Sequence, residues 1–160
     1  MRLIVISDTH RDLSSARRAF RQAGSIDLLI HAGDHYADAV QLGQETGLPV
    51  KGVTGNCDWC LGGPGEEVME IEGVRVFLTH GHRYGVKGGT DLLLRRVQEL
   101  DIALVIYGHT HVPENTVSNG IRLFNPGSVS RPRFGKAGSF GIIEITKEGL
   151  ETHILYLDAE

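Results

Sequence analysis

The chain is 160 residues long and 41% hydrophobic, which fits one domain over residues 1–160 with a core large enough to need no disulfide staples. Sixteen Lys and Arg against 20 Asp and Glu give a formal charge of −4, so no basic footprint points to obligatory nucleic-acid binding. No apolar run nears the roughly 20 residues that span a bilayer, and "MRLIVIS" turns polar too soon for a secretory leader, so a cytoplasmic protein with no membrane partner is expected.

"RLIVIS" (2–7) is a β-branched run that stops at Asp8, as a buried parallel strand does. "LSSARRAFRQAG" (13–24) places Leu13, Ala16, Phe20 and Ala23 at helical spacing and ends at Gly24. The pattern repeats: "DLLIHAG" (27–33) reads as a strand, "ADAVQLGQETG" (37–47) as a helix and "PVKGVTG" (49–55) as a third strand. Such alternation predicts right-handed βαβ units and a parallel sheet. "EEVMEIEGVRVFLTHG" (66–81) predicts a hairpin around Glu72-Gly73, followed by a helix in "GTDLLLRRVQEL" (89–100) and a strand in "IALVIYG" (102–108). Beyond it the chain is mostly strand, with turn signals at Asn119-Gly120 and Glu148-Gly149. Two sheets packed together with helices outside are expected.

The apolar strands of the first two thirds all end in the same kinds of residue: Asp8 and His10 in "SDTH", Asp34 and His35 in "AGDH", Asn56 and Asp58 in "TGNCD", His80 and His82 in "THGH", His109 and His111 in "GHTH". In a parallel α/β sheet the C-terminal strand ends lie along one edge, where ligands bind. Solvated turn formers scatter over both edges and use Lys, Ser or Glu as readily, whereas seven of the eight histidines here stand at or near strand ends. Asp8 and His10, two apart in extended chain, point to the same side. Alone, Asp-x-His or Gly-Asp is an ordinary turn; five such islands together indicate metal. Imidazole, carboxylate and amide without thiolate suit manganese, iron, nickel, cobalt or zinc rather than copper(I). Seven candidate ligands, Asp8, His10, Asp34, Asn56, His80, His109 and His111, exceed one tetrahedral site. They suit two divalent ions sharing a carboxylate, the usual apparatus of phosphate-ester hydrolysis. Cys57 and Cys60 form a C-x-x-C pair, but the following "LGGPG" reads as loop rather than as the helix a redox pair wants, and no second ligand pair follows at zinc-finger spacing.

The ordered series D-x-H, G-D, G-N-x-D, H-G-H and G-H-x-H, from Asp8 to His111, resembles the calcineurin-like metallophosphoesterases, especially their small bacterial and archaeal phosphodiesterases. "FNPGSVSRPR" (124–133) is similar to the segment those small members carry after the last metal motif. The resemblance implies an α/β fold, a four-layer α/β/β/α sandwich of two mixed sheets flanked by helices. It assigns Asp8, His10 and His111 to one ion, Asn56, His80 and His109 to the other, and Asp34 to both; spacing alone leaves that division open. It implies in-line attack by a metal-bridging hydroxide on a small phosphodiester, with no covalent phosphoenzyme. A monoesterase or nucleotidase on the same ions, and a protein-binding scaffold such as the retromer subunit of this fold, are the alternatives it carries.

One position departs from that pattern. Many members have a histidine after the third-motif asparagine, and here Cys57 stands there, a weaker hydrogen-bond donor. Good leaving groups are therefore expected to be favoured, unless His82 or Asp58 substitutes, and these three are the candidate catalytic side chains. Arg11, Arg83, Arg131 and Arg133 are candidate phosphate contacts or ordinary surface charges. Tyr84, Tyr107 and Trp59 are candidates to stack on a base, or packing residues. The chain has no room for a lid domain, so the crevice is expected to be open.

Overall fold

Strand β1 (Arg2–Ile6) divides its side chains between two apolar surroundings, Leu3 and Val5 in one core cluster, Ile4 and Ile6 in another. A strand covered on both faces needs this, which is why its sequence is an unbroken apolar run. Strand β2 (Leu28–His31) does the same, with Leu28 and Ile30 on one side and Leu29 on the other. The computed structural model describes residues 1–59, 62–134 and 137–159. Cys60 of the C-x-x-C pair, and Leu61 of the glycine-rich loop, lie outside them.

Helices α1 (Leu13–Ala23) and α2 (Tyr36–Thr46) lie beside this sheet. The Asp12 carboxylate starts α1 by accepting the Ser15 N–H at 3.1 Å, and Ala16, Ala19 and Ala23 form its buried face. After β3 (Val50–Gly52) come β4 (Glu66–Ile71), β5 (Val74–Thr79), α3 (Asp91–Val97), β6 (Leu104–Ile106), β7 (Glu114–Ser118), β8 (Ile121–Asn125), β9 (Ser139–Thr146) and β10 (Gly149–Tyr156). They make two five-stranded sheets, ordered β10-β9-β1-β2-β3 and β4-β5-β6-β8-β7. Strands β1, β2 and β3 run parallel, as do β5, β6 and β8, while the other pairings are antiparallel.

Between the sheets, Leu3, Val5 and Ile30 meet Val76, Leu78, Leu104, Ile106 and Phe124. Phe77, Val105 and Leu123 face the other way, into a cluster with Leu93 and Val97 of α3. The order is therefore helix, sheet, sheet, helix, the sandwich that the resemblance implied. No helix among the described residues is long and apolar enough to cross a membrane.

Some boundaries differ from expectation. Helix α3 is shorter than residues 89–100 because Gly89 (φ 139°) cannot open it, and its far end tightens into i→i−3 bonds, Leu100 N–H to the Val97 carbonyl at 3.0 Å. The β9–β10 turn centres on Lys147-Glu148, since Thr146 pairs with Gly149, one residue before the expected turn. The Glu72-Gly73 and Asn119-Gly120 hairpins form as read, with positive φ at both residues of each turn.

Candidate metal centre

Both groups of parallel strands aim their C-terminal ends at one crevice, where backbone bonds join neighbouring ends within each sheet. The Asp8 N–H donates to the Gly33 carbonyl at 3.0 Å, and the Gly108 N–H to the His80 carbonyl at 3.1 Å. At these ends Asp8, His10, Arg11, Asp34, His35, His109 and His111 all hold φ between 46° and 68°, the left-handed region that side-chain-bearing residues avoid. Each such corner costs on the order of 1–3 kcal/mol and turns a side chain back over the strand end. The surrounding bonds over-determine it.

Four ligand atoms, one each from Asp8, His10, Asp34 and His111, lie within 4.8 Å of one another. His111 donates its Nδ1–H to the Arg131 carbonyl at 2.8 Å, so Nε2 of the neutral ring is a lone pair. It faces Asp8 Oδ1 at 3.1 Å and His10 Nε2 at 3.3 Å, while His10 Nε2 stands 3.8 Å from Asp34 Oδ2. Asp8 is fully buried, and its Oδ1 has no hydrogen-bond donor. Converging acceptors with no proton between them repel, unless a cation enters or a ring is protonated. Ligands held about 2.1 Å from one ion stand about 3–4 Å apart, which these separations match.

A second group adjoins the first. His80 donates its Nδ1–H to the Ala32 carbonyl at 2.7 Å, which turns Nε2 toward Asn56 Oδ1 at 3.2 Å and Asp34 Oδ1 at 3.4 Å. The His109 ring stands 5.0 Å from that of His80, centroid to centroid, and the His109 backbone N–H donates to Asp8 Oδ2 at 3.2 Å. Asp34 thus shows one oxygen to each group.

Protonation follows the charges. Burial, with His80 and Lys87 adding to it, pushes His109 down to about 4. Burial likewise pushes down His10, helped by His111 and Arg131, and His82, helped by His80 and Arg83. For His80 burial acts the same way, but Asp34 and Asp8 outweigh it and raise its pKa; the Asp8 carboxylate beside it raises that of His111. Burial works to raise both carboxyls, yet His111, His80 and Ser7 hold Asp8, and His80 and the Cys57 N–H hold Asp34, below the ordinary value. Both aspartates are anions at neutral pH.

The remaining expected residues fall around this core. The His82 ring sits 5.3 Å from His80 and 6.1 Å from His109, with its Nδ1 buried and unpartnered. Cys57 donates its backbone N–H to Asp34 Oδ1 at 3.0 Å, and burial first, then Asp34, pushes its thiol up to about 11. Asp58 spends both oxygens on backbone, Oδ1 accepting Tyr36 N–H at 2.8 Å and Oδ2 accepting Gly55 N–H at 2.7 Å. That makes it the clamp of the Asn56 loop. Arg131 and Arg133 meet His111 through backbone and are exposed; Arg83 lies against Gly65; Arg11 is exposed. Tyr107 is core, 1% exposed and bonded to Glu114, and Tyr84 packs on Phe77 and bonds to Glu66, so neither reaches a substrate. Trp59, by contrast, packs against little and is 89% exposed.

The sequence profile of the calcineurin-like phosphoesterase superfamily domain matches residues 1–148. The chain belongs to that superfamily. A probable metallophosphoesterase of Methanothermobacter thermautotrophicus is 35% identical over 156 residues, covering 94% of this chain and 90% of its own. Phosphodiesterase YfcE of Escherichia coli K12 is 30% identical over 174 residues, covering 90% of this chain and 88% of its own. A solved structure from Streptococcus pneumoniae TIGR4, described as a predicted phosphoesterase, has a TM-score of 0.81 and 28% identity over 99% of this chain and 91% of that one.

The supporting residues of this calcineurin-like chain escape sequence reading. Buried His31 accepts the Gly33 N–H on Nδ1 at 3.2 Å, so its Nε2–H donates to Thr9 Oγ1 at 3.2 Å. Thr9 donates onward to Asp38 Oδ2 at 2.6 Å, which also accepts the Arg11 N–H at 2.9 Å. This relay holds the His10 corner. From the other side, Ser128 and Ser130 donate to the Asp8 and Thr9 carbonyls at 2.8 Å each, which gives the "FNPGSVSRPR" segment its work as a brace. Thr9→Val is expected to weaken manganese binding about 10- to 100-fold, read by calorimetric titration, because the ligand corner loses its outer support. An unchanged affinity would show that the relay does not position the site.

Burial pushes His31 down to about 4. Since the unfolded imidazole titrates near 6.5, the unfolded chain binds more protons between about pH 6.5 and 4. Stability is therefore full above that window and lost as pH falls through it. Metal-free protein is expected to lose about 2 kcal/mol through this group between pH 7 and 5, read as the difference in urea midpoints between the native chain and His31→Gln. Parallel loss in both proteins would assign the acid sensitivity elsewhere.

Proposed function

We propose that the chain hydrolyses phosphate diesters with two divalent cations, one held by Asp8, His10, Asp34 and His111, the other by Asp34, Asn56, His80 and His109. The observation that carries this reading is Asp34, whose Oδ1 turns to His80 at 3.4 Å and whose Oδ2 turns to His10 at 3.8 Å. The nitrogen and oxygen donor set suits manganese, nickel, iron, cobalt or zinc. Such ions, when bound, lower the pKa of water toward neutrality and hold phosphoryl oxygens as their charge develops.

The chain's own residues supply the rest. Asp8 and Asp34 bring the negative charge that keeps the cations in place. The Ala32 and Arg131 carbonyls fix the tautomers of His80 and His111, so each presents a lone pair inward. His82, neutral and with its ring 5.3 Å from that of His80 and 6.1 Å from that of His109, is the side chain to donate an N–H to the leaving-group oxygen. Arg131 and Arg133, beside His111, draw the anion to an open crevice. Asp58 positions the Asn56 loop rather than moving protons. A surface groove of about 720 Å³, lined by Tyr36, Val40 and Gln44 among others, lies beside α2 rather than over the ligand cluster.

A diester, with one negative charge, is favoured over a monoester dianion because the rim cations are exposed and weakly felt. Hydrolysis of bis(p-nitrophenyl) phosphate with added manganese, abolished by a chelator, tests the reading. Faster cleavage of p-nitrophenyl phosphate would give the site to monoesters, and metal binding without any hydrolysis would favour a scaffold. Because the Cys57 thiol stays protonated and donates weakly, Cys57→His is expected to raise relative rates on alkyl over aryl diesters about 10- to 100-fold. Equal ratios in the two proteins would leave leaving-group protonation to His82.

A further inference from the structure

Trp59 and Phe134 are 89% and 84% exposed, while the other exposed large apolar side chains lie between 42% and 57%. Single exposed apolar residues need no explanation. These two, however, stand on the two loops that frame the metal centre. Trp59 follows Cys57, whose N–H holds Asp34 Oδ1, and its Cα lies within about 7 Å of that residue's. Phe134 follows Arg133, whose N–H donates to the His111 carbonyl at 3.4 Å. The loops serve opposite ends of the crevice, one carrying Asn56 to the His80 side, the other bracing His111 on the His10 side.

Phe134 also holds φ at 60°, a conformation that a bulky side chain adopts only at a cost. Among the described residues neither ring meets another aromatic ring. Tyr84 and Tyr107 are already committed to Glu66 and Glu114. Trp59 and Phe134, by contrast, keep their rings free to stack on a ligand. Exposed guanidinium groups accompany both, Arg83 against Gly65 of the first loop and Arg131 and Arg133 on the second.

Resting on the diesterase reading above, we propose that Trp59 and Phe134 are flanking stacking faces, one for each organic arm of a diester whose phosphorus sits between them. The substrate class is then a diester bearing at least one planar arm, a nucleobase or an aryl group. A diester has two arms, and each of the two loops framing the metal centre carries one exposed aromatic. Stacking on an exposed ring tolerates any base, because every base has a π-face, and it needs no deep pocket.

Trp59 is the one tryptophan of the chain, so its emission reports stacking directly. Zinc-loaded protein is titrated with adenosine 5′-monophosphate, ribose 5-phosphate and inorganic phosphate. The nucleotide is expected to quench emission saturably and to bind about tenfold tighter than ribose 5-phosphate, with Trp59→Ala and Phe134→Ala each losing much of that margin by calorimetry. Inorganic phosphate affinity and thermal midpoint are expected to stay as in the native chain. Equal affinity for nucleotide and sugar phosphate, alongside chelator-sensitive diester hydrolysis, would overturn the stacking proposal and leave the diesterase intact. Loss of hydrolysis and of phosphate binding would overturn both. A fall in sedimenting mass on Trp59→Ala would give these rings to self-association and likewise overturn the proposal.

Discussion

Asp34→Asn is expected to lower metal-dependent diester hydrolysis by at least about a thousandfold, the scale on which cation stabilisation of a phosphoryl transition state operates. The amide keeps the shape of the side chain, and its oxygen can still accept the Cys57 N–H, now 3.0 Å from Asp34 Oδ1. What it cannot do is present an anionic oxygen to both His80 and His10. One side must instead receive an NH₂ group, a donor aimed where the lone pairs converge. The readout independent of turnover is thermal. A ligand that binds only the folded state raises the melting temperature by mass action, so manganese should raise that of the native chain and do so far less for the variant. The His80 pKa, now raised mainly by Asp34 and Asp8 against burial, should also drop, which proton NMR can follow in the metal-free protein. A variant that keeps both hydrolysis and the metal-dependent thermal shift would remove Asp34 from the centre.

The second large effect comes from two glycines that let the backbone approach the carboxylates. A methyl group on Gly55 would lie 2.1 Å from Asp34 Oδ1, 2.6 Å from the Asp34 backbone nitrogen and 2.9 Å from His80 Cδ2. On Gly108 it would lie 2.0 Å from Ser7 Oγ, 2.8 Å from Asp8 Oδ2 and 3.0 Å from the Ala32 carbonyl oxygen. Backbone atoms in both lists cannot swing aside, so the strand ends must part. Gly55→Ala and Gly108→Ala are each expected to cost about 1–3 kcal/mol, with metal affinity falling alongside. In a chain of this size each kcal/mol lowers the melting temperature by about 2–4 °C. Gly88 is the control: its added methyl would meet only the Gly85 carbonyl at an ordinary 3.5 Å, and Gly88→Ala should stay within about 0.5 kcal/mol of the native chain. Wild-type stability and metal binding in Gly55→Ala would mean that the Asp34 loop relaxes freely.

How much of this is legible without coordinates depends on the range of the interaction. Asp8, Asp34, His80, His109 and His111 announce themselves because each follows an apolar strand, and parallel strands bring their C-terminal ends together whatever their order. The packing roles of Ile4 and Val5 are equally local, set by a period of two. The helper residues are different. Thr9 bonds to His31 and Asp38, 22 and 29 positions away, and Ser128 reaches Asp8 across 120, so nothing near any of them marks its task. Trp59 and Tyr107 show the same limit from the aromatic side: both look usable for stacking, yet one is exposed on a loop and the other is sealed between sheet and helix.

By itself, the order of apolar runs and polar strand ends determined the two-sheet architecture and the donor types gathered at the strand ends, because hydrophobic periodicity and donor chemistry are properties of the chain alone. Only the tertiary structure decided which oxygen of Asp34 faces which histidine, which ring nitrogens are lone pairs, and which residues carry left-handed strain to aim them. Those are relations between atoms far apart in sequence, fixed by carbonyls and hydroxyls that meet the site only after both sheets have closed on a common core.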